Sequence, residues 1–148
     1  MNYKALKAEI INDPLNRGYS AMTDQQIIDS LTKTIDRVIV GPKVVGALGI
    51  MREIGPSKGA SILDKLESAA ASNSTLKWVM KELTMSGIDM GHPVTRAQID
   101  ALVTAGVLTA SDGAALKSIA EKTVSRAEEL QLGDISKQII NNARTESW

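Results

Sequence analysis

The chain has 148 residues, a length typical of one domain. Its 17 basic and 17 acidic residues give a net charge of zero, which argues against a nucleic-acid-binding protein because such proteins present excess positive charge to the phosphates. The absence of cysteine excludes disulfides, thiolate metal sites and cysteine nucleophiles.

Two short helices are predicted at the start of the chain. Apolar residues at helical spacing form the first, which ends at Asp13 because Pro14 follows and drives the preceding residue out of the helical region. Thr23 and Gln26 have the spacing of a capping box, in which each side chain accepts a hydrogen bond from the backbone amide of the other. This spacing predicts a second helix over about residues 24–36.

The middle of the chain is predicted from its glycine–proline pairs. Residues 37–40 are rich in β-branched side chains and could form a strand, but no second strand-like segment is evident, so we interpret them as a helix end or a buried connector. Glycine followed by proline at 41–42 and at 55–56 marks a helix end and a helix start. Helices are therefore expected over about 42–54 and 56–71.

A polar stretch, Ser72 to Thr75, then reads as a linker before a helix that contains Leu76, Val79 and Leu83. Gly87 is expected to end this helix, because glycine is the usual residue just after a helix.

A helical hairpin is predicted after the turn around His92. Thr95 and Gln98 have capping-box spacing, and Gly106 is placed to end the first helix. Thr109 and Ser111 are candidate caps for a second, longer helix. Residues of this helix that recur every three or four positions predict one buried face, which consists of Leu116, Ile119, Ala120, Thr123, Ala127 and Leu130. Leu116 and Ile119 are the predicted core residues of this face.

A last short helix is expected over about residues 135–143, followed by a polar tail that ends in Trp148. The chain has two tryptophans, two tyrosines and no phenylalanine, so the core must be built of aliphatic residues and methionine, which suits closely packed helices. The sequence therefore predicts an all-α fold: a single helical domain over residues 1–148, a compact bundle of about six to eight short helices with a C-terminal helical hairpin.

The patterns that resemble catalytic or ligand-binding motifs are all incomplete. The glycines of residues 41–49 lack the Lys and Ser or Thr of a phosphate-binding loop and are interpreted as helix-packing residues. Ser30 and Lys33 match a four-residue serine-nucleophile motif whose companion motifs are absent. His92 is the only histidine and reads as a turn residue, while Glu128 and Glu129 read as a solvated helix face. We expect no catalytic residues, no cofactor and no metal, and hence no enzyme.

The predicted hairpin also has the order of a helix-turn-helix DNA-binding motif. Its second helix would be the recognition helix, but Asp112 stands near the start and no basic residue precedes Lys117. We therefore expect no specific binding of nucleic acid.

No membrane partner is expected either. The opening MNYKALKAEIIND has no continuous apolar core and is not predicted to be a secretory signal. The most apolar stretch, residues 38–54, contains Pro42, Lys43, Arg52 and Glu53 and is shorter than the roughly 20 apolar residues that cross a bilayer.

Five residues are candidates for contacts with a partner: Arg17, Tyr19, Trp78, Arg144 and Trp148. For Trp78 a core position is favoured over an interface. The indole of Trp148, on a polar tail, either folds back onto its own chain or docks on a neighbour, and the sequence favours neither.

Both ends of the chain resemble the opening and closing segments of a widespread family of small tailed-phage proteins. The similarity lies in YKALKAEIINDPLNRGYSAMTDQQ at residues 3–26 and TVSRAEELQLGDISKQIINNAR at 123–144, and it extends through IDALVTAGVLTASDGAALKSIAEK at 99–122. Residues 37–71 show no such similarity. The family's genes tend to lie among those for phage structural proteins, especially of the tail region, so the resemblance implies a phage origin and a role in the virion.

We therefore expect a non-enzymatic phage protein that acts through protein–protein contacts, as a minor virion or tail-region component made in the host cytoplasm. Its partners would be other phage structural proteins or further copies of itself. The alternative is a free phage accessory protein that binds and inhibits a host factor, and the third hypothesis is a helix-turn-helix DNA-binding protein.

Overall fold

The fold is predominantly helical in the computed structural model, which describes residues 1–145. Its α-helices are α1 (Tyr3–Asn12), α2 (Asp24–Thr32), α3 (Ala47–Ile54), α4 (Pro56–Ala70), α5 (Ser74–Met85), α6 (Pro93–Thr104), α7 (Ala110–Ser118), α8 (Arg126–Glu129) and α9 (Lys137–Thr145), with a 3-10 turn at Tyr19–Ala21. The strands are β1 (Ile35–Val40), β2 (Val44–Val45), β3 (Ile88–Asp89) and β4 (Glu121–Ser125). The prediction of a mostly helical protein is confirmed, and that of a purely all-α fold is wrong.

The strands form two small sheets. β1 pairs with β4, and β2 pairs antiparallel with β3, with Val44 opposite Asp89 and Val45 opposite Ile88. Residues 37–40 therefore belong to a strand, and their interpretation as a helix end or connector is wrong. The partner strand was missed because its sequence, EKTVS, is mostly polar and lies within an apparent helical stripe.

The long second helix of the predicted hairpin does not form. α7 ends at Ser118, β4 follows, and α8 is one turn. Leu116 is confirmed as a core residue at 2% exposure, while Ile119 is the C-cap of α7 and only partly buried. The spacing of three and four residues continued past Ser118 by coincidence, because pairing with β1 holds this part of the chain extended.

Local capping signals predicted several helix starts correctly. Thr23 with Gln26 forms a complete capping box, Thr109 caps α7 by the same mechanism, and Pro56 is the first residue of α4. The Thr95–Gln98 prediction is wrong: α6 begins at Pro93, with His92 Nδ1 accepting a hydrogen bond from Val94 N at 3.2 Å.

Two other helix limits differ from the predictions. The helix expected from residue 42 begins at Ala47, because residues 44–45 pair with β3. The helix expected to reach residue 36 ends at Thr32, because β1 begins at Ile35.

The chain divides into two compact units, where the sequence predicted one helical domain. Unit 1 comprises Met1–Ile39 and the residues from Thr123 onward, and unit 2 comprises Val40–Lys122. The core of unit 1 includes Leu6, Tyr19, Ile27, Leu31, Leu132 and Ile140. The core of unit 2 includes Ile50, Ile62, Leu66, Leu83, Ile99 and Leu116. No helix among residues 1–145 is long and apolar enough to cross a membrane.

Replacing Leu116 with alanine should lower the free energy of unfolding by about 2–5 kcal/mol, because it removes a large side chain from the core of unit 2. The control Val94→Ala changes an exposed apolar residue of the same unit and should shift it by no more than about 0.5 kcal/mol. Urea unfolding followed by circular dichroism measures both. Equal effects of the two substitutions would show that Leu116 is not a packed core residue.

Candidate functional site

The opening segment that carries the family resemblance forms a tight loop in unit 1. Asp13 ends α1 in the left-handed conformation, and its carboxylate accepts hydrogen bonds from the backbone amides of Arg17 at 2.7 Å and Gly18 at 2.6 Å. Burial by itself would raise the pKa of Asp13. Hydrogen bonds from the backbone amides of Arg17, Gly18 and Tyr19 stabilise the carboxylate more strongly, so the pKa lies below its ordinary value. Gly18 has φ of 81°, which favours glycine.

Arg17 and Tyr19, both predicted contact residues, serve the interior of unit 1. Arg17 donates from Nη1 to the Ser30 carbonyl at 2.6 Å and from Nη2 to Asp36 Oδ1 at 2.6 Å, and its side chain is largely buried. Tyr19 is fully buried and donates from its hydroxyl to Glu9 Oε1 at 3.2 Å. Burial raises the pKa of Tyr19 to about 12, and the negative charge of Glu9 is the next largest contribution to this rise. The ring of Tyr19 therefore has no surface to offer a partner.

The closing segment forms an ion-pair cluster around Arg126. Its Nη2 lies 2.7 Å from Glu9 Oε2, and its Nη1 lies 2.7 Å from Glu129 Oε2. Arg37 Nε donates to the same Glu129 oxygen at 2.8 Å. The hydrogen bonds from Arg37 foremost, and the one from Arg126, hold the pKa of Glu129 at about 2 against the opposing effect of burial.

The interpretation of Glu128 and Glu129 as a solvated helix face is wrong for Glu129, whereas Glu128 is exposed as expected. Glu129 belongs to the ion-pair cluster, and Glu128 completes a capping box by accepting from Ser125 N at 2.9 Å. Sequence reasoning missed this cluster because the partners of Arg126 and Glu129, which are Glu9 and Arg37, lie on segments far from them in the chain. An arginine and a glutamate among apolar residues in the two resembling segments were the available signal.

The remaining predicted contact residues have different environments. Arg144 lies in the last turn of α9, where Nη1 donates to Asp24 Oδ1 at 2.8 Å and to the Met22 carbonyl at 3.1 Å. α9 therefore extends beyond residue 143, where the helix was predicted to end, and Arg144 ties it to the start of α2. Trp148 lies outside the described residues.

Trp78 is 61% exposed on α5, so the core position favoured by its sequence context is wrong. Lys81 Nζ lies 4.8 Å from the centre of its ring, a cation–π contact on the outer face of the helix. Trp78 remains a candidate contact residue.

Breaking the cluster should destabilise the protein strongly. Arg126→Met should lower the free energy of unfolding by about 3–5 kcal/mol, because Glu9, whose side chain is 2% exposed, loses its positive partner. Lys33→Met, which breaks the exposed Lys33–Asp29 pair, is the control and should cost less than about 1 kcal/mol. Urea unfolding measures both, and Glu9→Gln combined with Arg126→Met should recover part of the loss. Equal costs for the two single variants would contradict a buried cluster.

Acid should destabilise the cluster as well. The pKa of Glu129 is about 2 in the folded protein against an ordinary 4.5, so its stabilisation is complete above the ordinary value and is lost as the pH falls toward 2. Urea unfolding at several pH values should show stability falling over this window. Glu129→Gln should show a smaller fall than the parent protein, with a remainder from Asp112, whose pKa is also about 2 because Lys65 hydrogen-bonds to it. Identical pH profiles would contradict this role of Glu129.

The described residues show no assembled reactive centre. Residues 1–145 contain no group of three or more metal-binding side chains placed to hold an ion. Lys33 pairs with Asp29 at 2.9 Å, and Ser30 contacts Arg17, so the Ser30–Lys33 motif has no lysine directed at its hydroxyl. Asp112, at the start of the candidate recognition helix, is buried and pairs with Lys65 at 2.7 Å.

Unit 2 carries an exposed groove with both polar and apolar lining residues, which we call the unit 2 groove. It is an open concavity of about 640 Å³ lined by residues from 43–49, 52–53 and 83–87. Three of its apolar side chains are more than half exposed: Val44 at 62%, Leu48 at 66% and Met85 at 72%. At its border Lys43 pairs with Glu53 at 3.6 Å, while Arg52 is exposed and makes no ion pair within residues 1–145.

No protein-family model, curated protein or solved structure matches this chain.

Proposed function

We propose that this is a non-enzymatic tailed-phage protein that acts through protein–protein contacts, as a minor virion or tail-region component. The unit 2 groove carries the proposal, because it gathers the exposed side chains of Val44, Leu48 and Met85 in one concavity. Clustered apolar side chains on a protein surface mark sites of protein interaction, since covering them with a partner removes apolar area from water.

The resemblance at the chain ends supports a phage origin. The opening and closing segments supply the loop at Asp13 and the cluster around Arg126, so the residues that resemble the phage family have evident folding roles in unit 1. The proposed contact surface lies instead in unit 2, and two of its three exposed apolar residues, Val44 and Leu48, fall in the segment without the resemblance.

The partner in this proposal is another phage structural protein or a second copy of the chain. Arg52, at the border of the groove, has no ion-pair partner within residues 1–145. A partner protein with an acidic side chain beside its apolar surface would therefore fit best. The protein would be made in the host cytoplasm and incorporated into the particle.

Peptide mass spectrometry of purified phage particles is the first test. A virion component should be present at a fixed copy number per particle, and a protein found only in the infected-cell lysate would overturn the virion role. The lysate result would instead favour a free accessory protein that binds a host factor.

Leu48→Glu should reduce incorporation into particles by about tenfold or more, because it places a charge on apolar surface that the partner must cover. Val94→Glu is a closely matched control. Leu48 and Val94 are each the second residue of a helix in unit 2, both are more than half exposed, and Val94 does not line the groove. Both variants should melt at the temperature of the parent protein. Normal incorporation of Leu48→Glu would exclude the groove as the contact surface.

A further inference from the structure

Unit 2 contains a second concavity, which we call the α5–α6 cavity. It has a volume of about 330 Å³ and is partly enclosed by its walls. α5 contributes Val79, Met80 and Leu83, α6 contributes Ile99 and Leu102, and Leu116 of α7 also lines it. None of its lining residues belongs to unit 1.

The polar side chains of this cavity come from the N-terminal two turns of two helices and from the N-cap of one. Asn73 and Thr75 stand at the start of α5, and Thr95 and Gln98 near the start of α6. Asn73 Oδ1 caps α5 by accepting from Leu76 N at 3.0 Å, which leaves its amide NH₂ group to donate. The side chains of Thr75, Thr95 and Gln98 make no hydrogen bond to any other part of residues 1–145.

No charged side chain lines the cavity. A carboxylate or ammonium group moved into it would lose its hydration without gaining an opposite charge, which is costly. A neutral hydroxyl, amide or ester group would find donors and acceptors in the four polar side chains. The lining therefore selects against charged ligands and tolerates one neutral polar group.

The volume limits the size of a ligand. A dry apolar cavity of about 150 Å³ accepts benzene, so at the same packing this cavity would hold about a dozen non-hydrogen atoms. A ligand that binds the folded chain and not the unfolded chain should stabilise the protein by mass action.

We propose that the α5–α6 cavity is a binding site for a small neutral amphiphile, a mostly hydrocarbon molecule of about a dozen non-hydrogen atoms with one hydrogen-bonding group. Most ligand sites have this composition, with apolar walls and a few polar groups that orient the ligand. The hydrocarbon part lies against α5, α6 and Leu116, and the polar group faces Thr95 and Gln98. Leu83 lines both this site and the unit 2 groove, but the residues changed in the tests of the two proposals are different, so neither proposal depends on the other.

Calorimetric titration of the full chain with 1-octanol, and separately with octanoate, tests the selection for a neutral ligand. We expect one molecule of 1-octanol per chain, bound about tenfold or more tightly than octanoate, and a higher melting temperature in its presence. Equal affinities, several molecules per chain or no binding of 1-octanol would overturn the proposal.

Two sets of variants locate the binding. Val79→Phe fills the cavity and should weaken 1-octanol binding by about tenfold or more, whereas Val94→Phe, outside the lining, should not. Thr95→Val with Gln98→Met nearly preserves size, removes the hydrogen-bonding groups and should weaken 1-octanol binding without weakening toluene binding. This pair of probes keeps the proposal testable if Val79→Phe does not fold. Unchanged 1-octanol affinity in a folded Val79→Phe, or in the double variant, would contradict the site.

Discussion

The pairing of Arg126 with Glu9 and Glu129 is the interaction on which unit 1 depends. Glu9 lies on α1 and is almost completely buried, and its carboxylate is tolerated because a guanidinium lies 2.7 Å away and the Tyr19 hydroxyl donates to it at 3.2 Å. Glu129 extends the cluster to Arg37 on β1. Segments from both ends of the chain are thereby held in one unit, and a neutral residue in place of Arg126 would leave charge in the core.

This cluster gives residues near both ends of the chain a role in the fold. In the opening segment, Asp13 organises the loop and Glu9 enters the cluster; in the closing segment, Ser125 caps α8 and Arg126 pairs with Glu9. A cluster of charged residues is readily taken for a binding site. Here the side chains of these residues make their contacts within unit 1. A role in folding is therefore enough to explain them.

The surfaces suited to binding lie in unit 2. The groove exposes Val44, Leu48 and Met85 to solvent, whereas the α5–α6 cavity has apolar walls with polar groups from two helix starts. These two concavities suit different ligands: an open groove suits the surface of a partner protein, and a partly enclosed cavity suits a small molecule. On our proposals, unit 2 carries both binding surfaces.

The sequence by itself determined the helical character and several helix limits, such as the start of α2 at the Thr23–Gln26 capping box and of α4 at Pro56. These signals involve residues a few positions apart and act within one turn of helix. Only the tertiary structure decided that β4 interrupts the predicted long helix and that Glu129 is paired. Arg37 and Glu129 are 92 positions apart, and Arg126 and Glu9 are 117 apart. Such partners meet only when the chain has folded, so no local pattern could reveal them.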